Sequence, residues 1–378
     1  MKPGDGDWHR PFPLTRIKEP PSSADRFTYG DYFSSVRRFL ERDNHVNLVK
    51  AATLSSGRGV RPEEIERVSI FLIKHGEYYH PSRLDVHISG ETRRFVLNVA
   101  VTDQGIACME NESASLVSLN REMPNSYIPE LFIHGSVFWN NKRVSIMEEE
   151  WFENYHEFHL SMDQNNEKAI IVWDPASGNR ILPKCQEQEL YRQAAKILTF
   201  FYHPLTLSKI NSWHHAAGDF VLKNEGNRLD VKLITVRSYG SPFTGEELVG
   251  DIGSKLDALF VFFVNLTIRM RLDRKDGTGD FAWSGDAAVS GIVRGFFEGM
   301  AAWKNKGEQA CFWTDSFMYY LSRQKKEDLK CIARDIISSY HPDAPDTMVA
   351  MQNLGEHINS LDGEINRLPA MQGEISTI

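Results

Sequence analysis

The chain has 378 residues, 41% of them hydrophobic and 25% charged, and a net charge of −8. That length allows two lobes, each with its own core, and the composition is that of a globular protein. The acidic balance lacks the footprint of a nucleic-acid binder, although a local basic pocket is compatible with it. The four scattered cysteines, Cys108, Cys185, Cys311 and Cys331, form no C-x-x-C pair, which argues against a disulfide scaffold or a cysteine zinc site. They are expected to be reduced and mostly buried, in a cytoplasmic protein.

Residues 1–27 read as a flexible, proline-rich arm without the apolar core of a signal peptide. A helical extension over 28–66 follows. In "TYGDYFSSVRRFLERDN" Tyr32, Val36, Phe39 and Leu40 share a face at helical spacing, and "SSGRGVRP" is a turn. From Val68 β-branched and aromatic residues predict a strand, a turn near Gly76, and a second strand to Ile88. "RRFVLNVAVT" predicts a third strand, "ACMENESASLVSLNREM" a helix, and "YIPELFIHGSVFW" and "RVSIMEEEW" two more strands. Residues 67–150 are thus a small antiparallel-sheet lobe with one interposed helix.

The region 151–340 is expected to be mostly helical. "EQELYRQAAKILTFFY", "GSKLDALFVFFVNLTIRMRLD" and "AAVSGIVRGFFEGMAAW" are its strongest helices, the last punctuated by glycine. The most apolar run, Ala258–Val264 with "NLTI" after it, falls short of the ~20 residues a bilayer requires and predicts a buried helix and no membrane association. Residues 341–378 form a C-terminal helical extension.

"WHHAAGDFVLKN", Trp213–Asn224, concentrates polar chemistry between a helix and short strands. Asp219 and Asn224 have the D-x-x-x-x-N spacing of a phosphotransfer loop, in which the acid orients the attacking hydroxyl and the amide holds a metal. His214 and His215 are candidate basic partners of Asp219. The same stretch also reads as a solvated turn capped by Asp219. His156 and His159 in "HEFH" are three apart, so the helical metalloprotease spacing fails, while a two-histidine site stays open. "RLDRKDGTGD" hints at a calcium loop and equally at an interhelical turn.

"FVLNVA" at Phe95–Ala100, "ENESASLVSLN" with Glu112 in E-x-x-x-L-x-x-L, "YIPELFIHG", "VSIMEEEW" and the Gly218–Asp219 loop occur in the order of the kinase-like fold. Over about residues 68–300 the chain resembles that fold, nearest the aminoglycoside phosphotransferase and choline kinase group. The resemblance implies an α+β, bilobal protein-kinase-like fold with a small antiparallel-sheet N-lobe and a mostly helical C-lobe. It implies ATP and Mg²⁺ as cofactors and a small hydroxylated molecule or anionic metabolite as substrate. Asp219, His214 and His215 would be catalytic and Asn224 metal-binding. Asn98, Glu112, Met147, Glu148, Glu149 and Arg237 would line the nucleotide.

Three departures stand against activity. Asn98 replaces the phosphate-binding Lys, "KHGEYYHPS" holds a single Gly, and Arg237 stands about where a metal-binding Asp belongs. The functional readings are therefore a divergent ATP-dependent phosphotransferase or a catalytically inactive pseudokinase that binds a ligand or acts as a scaffold. A histidine-dependent metal hydrolase trails both.

Overall fold

The computed structural model describes residues 5–15, 27–123, 126–211, 213, 216–226, 228–242, 251–303, 310–341 and 343–375. It divides into two compact units, Met1–Glu153 and Asn154–Ile378. The whole is α+β, with a five-stranded antiparallel sheet in the first unit and a mostly helical second unit.

Helix α1 (Tyr29–Ser56) opens the first unit. Thr28 Oγ1 accepts the Asp31 N–H at 3.1 Å, and the Asp31 carboxylate accepts the Thr28 N–H at 2.8 Å. This reciprocal cap satisfies two donors that a helix start leaves without partners. The helix breaks over Arg42–His45, where Asp43, Asn44 and His45 all have positive φ, and then resumes. Strands β1 (Ile65–Leu72), β2 (His80–Ile88), β3 (Glu91–Ala100), β4 (Leu131–Trp139) and β5 (Lys142–Glu150) form the sheet in the order β1-β2-β3-β5-β4. Helix α2 (Asp103–Glu122) lies between β3 and β4 in the chain. On β2 alternate residues from His80 to Ile88 are buried, the period-two signature of a half-covered strand.

One sheet face carries Leu84, Val86, Leu97, Val99, Val144 and Ile146 into a core with Val36, Phe39 and Leu40 of α1. Residues 5–15 join it, which corrects the expectation of a flexible arm for that part of 1–27. Phe12 is 1% exposed, stacks on Tyr32 at 4.7 Å and meets Tyr29, His75 and His80 edge-on. One aromatic side chain offers enough buried area to anchor a proline-rich segment that has no periodicity of its own.

The second unit begins with sheet rather than helix. Strands β6 (Phe158–Met162), β7 (Lys168–Val172) and β8 (Arg180–Ile181) form a small antiparallel sheet. Helix α3 (Lys184–Phe200), strand β9 (Lys209–Asn211) and the four-residue turn α4 (Ala216–Asp219) follow. Strands β10 (Phe220–Glu225) and β11 (Arg228–Leu233) make a hairpin, and β12 (Ser238–Gly240) pairs with β9. Helix α5 (Ile252–Arg269), the pair β13 (Leu272–Arg274) and β14 (Phe281–Trp283), and helices α6 (Ala287–Ala301), α7 (Ala310–Ser322), α8 (Lys326–Ser338) and α9 (Pro345–Ile375) complete it.

The glycines of α6 are a packing device. Gly291, Gly295 and Gly299 repeat every four residues and lie on one face, directly against the α3 backbone. A Cβ built at Gly295 would overlap the Arg192 carbonyl, and one at Gly291 the Gln188 carbonyl. Beside that contact Arg192 of α3 pairs with both Glu189 and Glu298. Arg271 of the same unit is fully buried. Its guanidinium donates to the Ser284 carbonyl at 3.1 and 2.7 Å and to Asp286 at 3.0 Å, over the Trp283 ring.

The cysteines also depart from expectation: Cys185, Cys311 and Cys331 are exposed and Cys108 is half-buried. A free thiol takes the exposure of the helix position it occupies, and these lie on outward faces. No helix among the described residues is long and apolar enough to cross a membrane.

Candidate functional site

The residues singled out from the sequence fall into two groups, one in each unit. In the first unit β3 and β5 pair so that Asn98 faces Met147, Leu97 faces Glu148 and Val96 faces Glu149. Alternate residues of a strand point to opposite faces. Asn98, Met147 and Glu149 therefore share one face, and Glu148 points to the other, with Leu97 and Ile133.

On the first face Asn98 Nδ2 donates to Glu149 Oε2 at 2.6 Å, and Tyr79 donates its hydroxyl proton to Glu112 Oε2 at 2.8 Å. Asn98, Glu112 and Glu149 are all buried. Burial pushes the Glu149 carboxyl well above the ordinary carboxylate range, and the charge of Glu112 adds to the rise, with Asn98 opposing it. The sequence thus brings together two acids and an amide where the resemblance calls for a Lys–Glu ion pair. That assembly favours a bound proton and offers phosphate no cation.

Glu148 is fully buried on the opposite face, among the apolar side chains of the α1 core. Neither of its carboxyl oxygens meets a hydrogen-bond partner. Burial alone drives its pKa well upward, so the group is held as the neutral acid.

In the second unit Asp219 ends the turn α4. Gly218 has φ +87°, a conformation that suits glycine, and it swings the chain into β10. The Asp219 carbonyl accepts the Ile234 N–H at 2.8 Å, which ties the turn to the end of β11. Its carboxylate is 4% exposed and lies 3.1 Å from Nη2 of Arg237. Asp219 and the arginine that stands where the resemblance expects a metal-binding Asp are therefore direct partners, eighteen positions apart in the chain.

Asn224 does not join them. Phe220–Glu225 is an extended strand paired with Arg228–Leu233, so five residues along it place Asn224 roughly 16 Å from Asp219. Asn224 instead forms a reciprocal amide pair with Gln186 of α3, at 2.7 and 3.3 Å, and Gln186 also donates to the Gly226 carbonyl. The metal-binding expectation for Asn224 is corrected accordingly. The stretch read as a polar loop is half strand, with Phe220 and Leu222 fully buried. His214 and His215 lie outside the described residues.

The other histidines diverge as well. His156 lies 3.8 Å from Asp174, and its backbone pairs with Leu222 of β10. His159 is buried 3.3 Å from Asp273, whose carboxylate already accepts the N–H groups of Leu160 and Arg274. Asp276 accepts the Ser161 hydroxyl. The two-histidine and calcium readings therefore lose their ligands to local hydrogen bonds. Among the described residues no three His, Cys, Asp or Glu side chains are grouped to hold a metal.

A magnesium nucleotide needs carboxylate or amide oxygens turned toward the metal and cations turned toward the phosphates. Here Asp219 faces a guanidinium, Asn224 faces another amide, and Asn98 faces a carboxyl. As arranged, these side chains do not fit that cofactor. Gln186 and Tyr79, which hold Asn224 and Glu112, carried no motif in the sequence.

No protein-family model matches the chain, and no curated protein matches it. Among solved structures it is similar to choline kinase from Cryptosporidium parvum Iowa II, at 10% identity and a TM-score of 0.35, over 81% of this chain and 93% of that one. It is also similar to the PAN3 pseudokinase of Drosophila melanogaster, at 9% identity and a TM-score of 0.33, over 82% of this chain and 70% of that one. Likenesses this remote carry no argument about activity or substrate.

Proposed function

We propose that this chain is a kinase-like protein that does not transfer phosphate and serves as a ligand-binding or scaffold module. Its own topology supports the kinase-like part. Three antiparallel strands, a helix and two further strands follow in the order the resemblance implies, and β5 inserts between β3 and β4.

One observation carries the loss of transfer, the 3.1 Å ion pair between Arg237 and Asp219. A carboxylate that orients a hydroxyl must keep an oxygen for it, and a fixed guanidinium beside it repels magnesium. Removing one partner of a buried pair costs about 3–5 kcal/mol, so the arginine is not readily displaced to admit a metal. The Asn98–Glu149 contact works in the same direction, since it offers phosphate no cation where a lysine would attract it.

The test is thermal unfolding with ATP and Mg²⁺, with ATP and a chelator, and with neither, alongside a phosphate-release assay. Wild type is expected to show no magnesium-dependent shift and no turnover. Ligand at 100 times its dissociation constant stabilises by about 2.7 kcal/mol, well within detection. A magnesium-dependent shift together with turnover would restore the phosphotransferase reading.

A further inference from the structure

In the first unit a groove of about 720 Å³ runs between α1 and β4. Its helical wall carries Arg37, Arg38, Glu41 and Arg42, which share one face at i, i+1, i+4 and i+5. Its other wall is the Ser136–Trp139 end of β4, and among the described residues β4 is the outer strand of the sheet, paired only with β5. The Phe138 carbonyl opens toward the helix, since it accepts a hydrogen bond from Arg38 Nη1 at 3.1 Å. Phe138 itself is 65% exposed.

Three arginines against one glutamate stand out on a chain whose net charge is −8. They are held loosely. Arg37 pairs with Glu41 at 2.7 Å and Arg42 with Asp43 at 3.2 Å, with the arginine side chains 72% and 61% exposed. Pairs this open contribute about 0–1 kcal/mol and exchange readily for another anion. Arg42 also closes the groove, because the helix breaks there with ψ 139°.

We propose that this groove docks an extended acidic segment of a partner protein, which pairs with the outer edge of β4, takes the place of Arg38 at the Phe138 carbonyl, and sets its acidic side chains against Arg37, Arg38 and Arg42. Two features select that occupant. A strand edge offers backbone donors and acceptors that an extended polypeptide complements at every second residue. The arginine row supplies charge complementarity, which in such interfaces sets register and partner choice. A nucleic acid would use the arginines and leave the strand edge unmatched. The groove is lined wholly by residues of the first unit.

The probe is a fluorescein-labelled ten-residue peptide of alternating Glu and Val, titrated with the full chain and read by anisotropy. Wild type is expected to bind it saturably. The double charge reversal R37E/R42E, at two exposed positions, should keep the wild-type unfolding midpoint and weaken binding at least about tenfold. The same peptide N-methylated at every backbone amide should not bind, because it has no N–H left to donate to a strand edge. Equal binding by the reversal variant, or by the N-methylated peptide, would overturn the proposal. So would binding of a ten-nucleotide oligothymidylate as tight as the peptide and equally sensitive to the reversal, which would mark a general polyanion surface.

Discussion

Replacing Glu148 with Met should stabilise the protein, and by an amount that depends on pH. The carboxyl is fully buried against Leu97 and Ile133, with neither oxygen hydrogen-bonded. Its folded-state pKa is raised by burial. The folded state therefore binds a proton that the unfolded state releases above about pH 4.3, so stability falls as pH rises through that window. Each pH unit costs about 1.4 kcal/mol while the folded group stays protonated, or about 2.7 kcal/mol between pH 5 and pH 7. Methionine matches the length and flexibility of glutamate without the proton. Urea denaturation followed by circular dichroism at pH 5, 6, 7 and 8 measures the difference. The E148M advantage should be smallest at pH 5 and grow as the pH rises, by at most about 1.4 kcal/mol per pH unit. An advantage independent of pH, or a loss at every pH, would refute the reasoning, since it would mean that the carboxyl is already ionised or solvated.

Gly295→Ala should be among the most damaging single-methyl additions, because the new Cβ would meet the Arg192 carbonyl between two packed helices. We expect a loss of about 1–3 kcal/mol in the denaturation midpoint, with Gly285→Ala, which meets nothing nearby, as the control. Arg271→Ala leaves the Ser284 carbonyl without its donors inside the second unit and should cost about 3–5 kcal/mol, measured in the same way. Arg271→Lys should recover only part of this loss, since an ammonium lacks the planar fork. His357, buried beside that guanidinium, has its pKa pushed down to about 3 by burial and by the Arg271 charge. The unfolded state then holds the extra proton, and this contribution is lost as pH falls from about 6.5 toward 3. His357→Gln should therefore flatten the acid limb of the stability profile, and an unchanged limb would assign it to other groups.

The sheet of the first unit was legible because its signals are local. Alternation on β2, β-branched runs on β1 and β3, and polar turns between them need only neighbours a few residues away. The sheet β6-β7-β8 was missed because its strands are five, five and two residues long and offer too few periods to read. The anchoring of residues 5–15 was missed for a related reason, since it depends on a single side chain, Phe12, and on rings contributed by α1, by His75 and by β2.

The candidate site divides along the same line. Asp219 and Asn224 could be picked out by their D-x-x-x-x-N spacing, and Asn98 and Arg237 by the positions they occupy in the kinase-like resemblance. What each one does follows from its partner. Arg237 reaches Asp219 from eighteen residues away, Gln186 reaches Asn224 from 38, and Glu149 reaches Asn98 from 51. The amino-acid sequence by itself determined the strand and helix order of the first unit, the long helices of the second, and the absence of a lysine at position 98. Only the tertiary structure decided that Asp219 faces a guanidinium, that Asn224 is remote from it, and that Glu148 faces none of them. Burial strips water from these groups and obliges each to take the nearest complementary atom, and which atom is nearest is a property of the packed chain.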